Sequence, residues 1–398
     1  MLVYAAVLMA WSCTRSLMDR FSETRCCLGE MFSSRRRVGR TYQGFIKQLM
    51  LHGGVLLEII HGQLRRRMRE IAGEHWLRDG FLAFAVDGSR VEMPRTFDNE
   101  EYFGCGGRHK TGPQMWLTTL WHMGTGLPWC WKIGKANDAE RNHLRDMLKL
   151  LPQMALLIAD AGFTGYELMT EILSAGHSFL IRVGSNVKLL KELGYAEFEN
   201  DGTVYLWPSQ AMKDRKPPLV LRMIVLQRKG KRIFLLTNVG EEKLSDRQAG
   251  VFYEMRWGVE VFYRSLKQTL GHRKMLSRAP RQTKAELAWT MVGLKILGLM
   301  SVERIILGGK DPLSWSVAMS LRVVQSAMAE RRGVMKCKNM SAALAGCVQD
   351  EYERKGPKAA RNWPHKKRET PPGEPKIRKA NEMEMKIIKE ITDEQHAA

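Results

Sequence analysis

The stretch FYEMRWGVEVFYRSLKQTL, residues 252–270, sets one acid among bases along a single surface. On an ideal helix turning about 100° per residue, with Glu260 at zero, Tyr253 falls at about +20°, Arg256 at about −40° and Lys267 at about −20°. Phe252, Met255, Val259, Phe262, Leu266 and Leu270 form a neighbouring apolar stripe, the side expected to be buried. A metal-binding carboxylate between phosphate-binding cations has this composition, and its chemistry would be phosphoryl transfer on a polyanion. The same Arg256–Glu260 spacing also describes an ordinary solvated ion pair worth about 0.3–0.5 kcal/mol. The choice between them rests on the rest of the chain.

Two aspartates upstream supply what a lone glutamate would need. FLAFAVDGS (81–89) and ALLIAD (155–160) are apolar runs that reach Asp87 and Asp160, where a buried strand would deliver its last side chain to the carboxyl edge of a sheet. Aspartate after a strand is equally a turn former, so each alone is ambiguous. Together with Glu260 they form a set of carboxylates suited to a hard divalent cation. Two such ions about 3.5–4 Å apart can activate an attacking oxygen and stabilise the leaving one, with Arg256 or Lys267 countering the extra negative charge of the transition state.

The elements that would position these residues read as α/β. MWLTTLWHM (115–123) and LPWCWKIG (127–134) look like a hairpin, Asn137 and Glu140 like a capping box for a helix through Leu150, 166–175 like a helix and HSFLIRVG (177–184) like a strand. Residues 185–245 alternate short strands with turn and charge clusters, a β-rich insertion. The segment 285–330 reads as helical and apolar.

Composition points to the partner. With 63 Lys+Arg against 42 Asp+Glu the chain carries +21, most simply explained by nucleic acid, with an anionic membrane surface second. The bases cluster at Arg35, Arg36, Arg37 and Arg40, at Arg65, Arg66, Arg67 and Arg69, and again from Arg354 to Lys379. Three such runs favour contact with a phosphate backbone over three solvated faces. Seven cysteines without C-x-x-C spacing exclude a zinc framework and suggest reduced thiols. The apolar start MLVYAAVLMAWSC is too short to span a bilayer and suggests a packed helix in preference to a signal peptide, or a shortened N-terminus; no membrane role is expected.

Tyr253-x2-Arg256-x3-Glu260-x6-Lys267 resembles the Y-x2-R-x3-E-x6-K signature of bacterial insertion-sequence DDE transposases of the insertion-sequence-4 type. AVDGS around Asp87 and IADAGF around Asp160 resemble the segments holding the family's two aspartates. The order D, D, insertion, E is also shared, over roughly residues 79–275. The resemblance implies an α/β, ribonuclease-H-like mixed-sheet core that binds two Mg2+, with Mn2+ as a substitute, through Asp87, Asp160 and Glu260. It implies strand cleavage at the element's ends followed by strand transfer, with Tyr253, Arg256 and Lys267 on DNA. Its partners would be the terminal inverted repeats, target DNA and a second copy in a synaptic homodimer, in the bacterial cytoplasm at the nucleoid. A tryptophan that some relatives stack on a flipped base, just before an L-L-T stretch, is absent: RIFLLTN has Ile233 and Phe234, and Trp207 is unassigned. A silent transposase-derived DNA binder and a nuclease that cuts without joining are the alternatives.

The expected organisation is a helical basic DNA-binding unit (1–78), the first part of the core (79–184), the insertion (185–245), the glutamate helix (246–275), a helical C-terminal region (276–353) and a basic, disordered tail (354–398). Asp138 and Glu140 are expected to cap a helix, and Glu92, Asp98, Glu100 and Glu101 to be solvated. His109 with Lys110 could touch DNA, Trp257 is expected to pack inward, and His272 to extend a basic helix end.

Overall fold

A computed structural model of the chain describes residues 1–32, 39–106, 112–191, 202–228, 230–330, 339–349, 373–387 and 390. Arg35, Arg36, Arg37, His109, Lys110 and the basic residues from Arg354 to Arg368 lie outside the described residues.

The chain opens with helices α1 (Leu2–Trp11), α2 (Leu17–Met31) and α3 (Tyr42–Ala72), then strand β1 (Leu82–Glu92), helix α4 (Phe97–Phe103) and the hairpin β2 (Gln114–His122) and β3 (Leu127–Lys135). Next come α5 (Glu140–Leu148), β4 (Ala155–Ala159), α6 (Tyr166–Ser174), β5 (Ser178–Val183), β6 (Lys188–Lys191), β7 (Thr203–Leu206) and α7 (Ser209–Lys213). The hairpin β8 (Leu219–Arg228) and β9 (Lys231–Thr237) leads into α8 (Asp246–Met255) and α9 (Trp257–Arg264). The described chain closes with α10 (Pro280–Leu307), α11 (Val317–Glu330), α12 (Met340–Ala345) and β10 (Lys376–Lys379). It divides into two compact units, residues 1–152 with 255–349, and residues 153–254 with 350–398.

In the first unit β2 lies between β1 and β3, antiparallel to both, with Asp87 opposite Thr119. The expected hairpin is present; the expected end of the first strand is not. Asp87 sits within an eleven-residue strand that continues to Glu92. Asp-Gly does not turn the chain here because Gly88 stays extended in register with Thr118. A Cβ on Gly88 would come within 2.7 Å of the Glu140 carboxyl and 2.8 Å of Trp116 Nε1, so glycine admits those groups. The capping box expected at Asn137 and Glu140 is not formed. The N-cap is Ala139, and Asp138 Oδ2 instead accepts the Lys135 amide at 2.6 Å.

The apolar N-terminus is a packed helix: Ala5 to Trp11 are buried, and Trp11 Nε1 donates to Gly293 O of α10 at 2.9 Å. Helix α10 is apolar on nearly all sides, as a helix with neighbours all round must be. Its Lys295, 1% exposed, donates from Nζ to Trp129 O at 2.8 Å, and burial pushes its ammonium down to about 7. Thus the helices expected to form a separate N-terminal unit share a core with α10.

The second unit is a mixed sheet in the order β10-β6-β7-β8-β9-β5-β4. Strands β4 and β5 pair in parallel, and β5, β9, β8, β7 and β6 are successively antiparallel. β4, ALLIA, is buried throughout, the pattern of a strand covered on both faces. This unit joins β4 and β5 to the strands of the expected insertion. Strand β10, from the tail expected to be disordered, pairs in parallel with β6, and Arg378 forms two hydrogen bonds with the buried carboxylate of Glu384.

The fold is mixed α/β. No described helix is long and apolar enough to cross a membrane. The six described cysteines are free thiols.

Candidate active site

The segment expected to form one helix from Phe252 to Leu270 keeps helical dihedrals at Arg256, Arg264, Ser265 and Leu270, but its hydrogen-bond pattern is irregular. Helix α8 ends at Met255, α9 starts at Trp257, and Ser265–Thr269 forms a π-helical turn. The even 100° spacing therefore applies only within each piece, and the extra residue per turn in the π segment alters the direction of Lys267. The buried stripe survives: Phe252, Val259, Phe262, Leu266 and Leu270 are all at most 6% exposed, whereas Met255 is half-buried.

In the first unit α9 is pinned to the strands beneath it. Tyr263, one turn after Glu260, is buried, and its phenol donates to Asp87 O at 2.8 Å and Leu117 O at 3.1 Å. Burial, with the nearby charge of Asp87, holds the phenol well above its usual range, so it acts as a neutral donor. Close approach is secured at Gly258: a Cβ there would lie 2.3 Å from Trp121 Cη2. The face bearing Asp87 and the helix bearing Glu260 are thus tied together by one hydroxyl and one missing methyl.

The cations are engaged within the protein. Arg256 donates to Glu260 Oε1 at 3.1 Å, the i,i+4 pair that their spacing alone anticipates. Its side chains are only 11% and 30% exposed, however, so water screens the pair less than a surface bridge. Lys267 Nζ donates to Ser89 Oγ at 2.8 Å, two residues beyond Asp87 on β1. Burial lowers the Lys267 ammonium from its usual range, opposed by the carboxylate of Glu92 and, more weakly, that of Asp87.

Asp160 and Tyr253 belong to the second unit. Asp160 directly follows β4 and caps the short turn Ala161–Phe163, its Oδ1 accepting the Gly162 amide at 2.9 Å. The turn-forming expectation therefore holds for Asp160 although it fails for Asp87. Tyr253 is half-buried near the end of α8. Among the described residues no group of three or more His, Cys, Asp or Glu side chains is arranged as a formed metal site.

Other expectations change. Trp257 does not pack inward: it is 53% exposed beside Arg256. His272 is no cationic helix end, being 2% exposed with its ring held neutral, since burial lowers its pKa to about 4. Trp207 is buried and donates to Lys216 O, and Phe234 is buried, so neither presents an open ring face. Asp98 and Glu100 sit on α4 rather than in a loop, with Glu100 paired to Arg95. Tyr263 and Ser89 were missed by sequence reasoning. A tyrosine among the apolar residues of a buried stripe was the available signal, because a buried hydroxyl needs a partner. Nothing distinguished Ser89 from a turn residue.

The site thus belongs to a mixed α/β protein whose acidic residues lie on a strand and a facing basic helix. Residues 79–293, over half of the chain, match the family described as the transposase DDE domain, and the chain belongs to that family. It is 24% identical over 219 residues to the transposase InsG of insertion sequence element IS4 from Escherichia coli K12, covering 52% of this chain and 48% of the relative. The chain therefore matches about half the length of that curated relative. A cryo-EM structure of the piggyBac transposase synaptic complex with hairpin DNA is similar at 12% identity and a TM-score of 0.37, over 68% of this chain and 58% of that one.

Proposed function

We propose that the chain is a DNA transposase of the insertion-sequence-4 type, with a ribonuclease-H-like core that cleaves strands at its element's ends and joins them to target DNA. Asp87, Asp160 and Glu260 are its catalytic carboxylates. The observation that carries this reading is the four-residue signature on α8, α9 and the π turn, with Glu260 on the helix that Tyr263 ties to the Asp87 strand.

A donor set of carboxylates with no thiol or imidazole fits hard divalent cations, Mg2+ or Mn2+. Two bound ions would activate the attacking oxygen and stabilise the leaving one. The protein's own contribution is to hold and exchange charge. Arg256 neutralises Glu260 until Glu260 is needed as a ligand, and then becomes available to a phosphate. Lys267, resting on Ser89, can turn from a neutral hydroxyl to a DNA phosphate without leaving a buried charge unpaired. Tyr253 completes the DNA contacts. A homodimer would hold two ends in synapsis, working on inverted repeats in the cytoplasm, at the nucleoid.

The test is cleavage of end DNA by Asp87→Asn, Asp160→Asn and Glu260→Gln. Each should lose cleavage and joining while binding end DNA as the wild type does. Cleavage at the wild-type rate by any one of them removes that residue from the set. Binding without metal-dependent nicking by the wild type would instead identify a silent DNA binder, and nicking without joining would identify a nuclease.

A further inference from the structure

The first unit holds a cavity of about 400 Å3 away from Asp87 and Glu260, walled by Ser12, Thr14, Arg15, Arg20, Thr269 and Gly271 among others. Its size is at the lower end for small-ligand sites, roughly 300–1,000 Å3. Arg20 is 8% exposed, an unusual place for a group that stays charged at any ordinary pH. Its Nε donates to Thr14 O at 2.9 Å. Among the described residues its two terminal nitrogens have no acceptor, and no carboxylate lies within ion-pair distance of it.

The nearest acids are otherwise occupied. Glu23 accepts from Ser12 Oγ, and Glu286 accepts from the backbone amides of Leu276 and Ser277 at 2.8–3.1 Å. They act on Arg20 at longer range without forming its ion pair. The guanidinium is mostly buried, yet its terminal nitrogens are not sealed from the cavity, which leaves the fork open to an anion. The fork matches a phosphate or carboxylate in bidentate fashion, and here a second guanidinium, Arg15, is exposed on the same wall.

We propose that this cavity binds the phosphate group of a nucleotide-sized ligand, with Arg20 as its bidentate partner and Arg15 as a second cation at the rim. Two cations favour a phosphate over a single carboxylate, and the volume leaves room for the group that bears it. Because Thr269 and Gly271 follow Lys267 closely, the ligand sits against the end of the segment carrying the signature residues.

The test is calorimetric titration of the full chain with inorganic phosphate, with dAMP and with a short DNA duplex, at constant ionic strength. Saturable one-site binding of phosphate and dAMP is expected, at least tenfold weaker in Arg20→Lys and several-fold weaker in Arg15→Gln. Arg15 is exposed, so its variant reports even if the substitution at Arg20 prevents folding. Binding that is unsaturable, or unchanged in both variants, overturns the proposal. So does a result in which only the duplex responds to these substitutions and phosphate does not compete with it.

Discussion

The contact between Gly258 and Trp121 gives the sharpest test of how α9 is held. In Gly258→Ala the added methyl would sit 2.3 Å from Trp121 Cη2 and 2.8 Å from Cζ2 and Cζ3. Relaxed carbon contacts are at about 3.5–4.0 Å, so helix and indole must separate by about 1.2 Å. Trp121 is 6% exposed near the end of β2, held between Ala85 of β1 and Pro128 of β3, so the helix is the element expected to yield. Overpacking of this kind costs about 1–3 kcal/mol. Alanine's better helix propensity returns less than about 1 kcal/mol, because the position is the second of α9. The net expectation is a loss of about 1–2 kcal/mol, read as a lower urea midpoint with unchanged slope. Glu260 rides on the same turn, and a misplacement of about 1 Å can cost about a hundredfold in rate. Single-turnover cleavage of end DNA should therefore fall well beyond what the lost stability explains. Gly54→Ala is the control, since it makes the same change inside α3 with nothing within 4 Å of the new methyl, and it should be neutral or stabilising. If Gly258→Ala raises the midpoint as Gly54→Ala does and cleaves normally, α9 does not bear on Trp121 and the positioning argument fails.

Tyr263→Phe removes the hydroxyl shared by Asp87 O and Leu117 O while keeping the ring, and should lower stability by about 0.5–1.5 kcal/mol in chemical denaturation; no loss would mean the strands satisfy those carbonyls unaided. Acid stability should follow His61, His122 and His272, each lowered to about 4, chiefly by burial. Because their folded pKa values lie below the unfolded value of about 6.5, the stability they permit is present above pH 6.5 and is lost as pH falls from 6.5 towards 4. His122 shows why: Nδ1 accepts the Thr125 amide, so Nε2 carries the proton given to Trp76 O, and a second proton would break the first bond. His122→Gln should flatten the melting-temperature profile across that window, and an unchanged slope would show that His122 already titrates normally. Trp257→Ala should weaken binding of DNA with an unpaired end by the equivalent of about 1–3 kcal/mol, one stacked base, with duplex binding unchanged. Equal loss for both DNAs would instead mark Trp257 as a general surface contact.

Residue spacing supplied the candidate residues, because a signature is a pattern of types along the chain and needs no tertiary information. The apolar runs gave the β2–β3 hairpin and strands β4, β5, β7, β8 and β9 for the same reason. What failed depended on neighbours remote in sequence. Whether Asp-Gly at 87–88 turns or continues is decided by the Glu140 carboxyl and the Trp116 indole lying over Gly88. Strand β10 exists through its pairing with β6, nearly two hundred residues earlier, and its own sequence, KIRK, reads as solvated charge. His272 looked like part of a basic run, yet the chain reverses at Gly271, φ +71°, and carries the imidazole into the interior.

The irregular hydrogen bonding of the signature helix has the most bearing on mechanism. A continuous helix would align Tyr253, Arg256, Glu260 and Lys267 rigidly, and the ideal wheel makes that alignment look like the point of the motif. The structure instead assigns the four residues to three backbone pieces: Tyr253 to α8, Arg256 to the junction, Glu260 to α9 and Lys267 to the π turn. Two of these pieces have restraints of their own: Gly258 on Trp121 and Tyr263 on Asp87 O for α9, and Ser89 for Lys267. Glu260 thereby rides on a helix tied to the strand of Asp87, which suits the proposed role of a ligand. Arg256 donates to Glu260 and Lys267 to Ser89, partners that can be exchanged for phosphate oxygens. The invariant that matters is then the restraint on Glu260, and a substitution that loosens α9 should harm chemistry before it harms DNA binding.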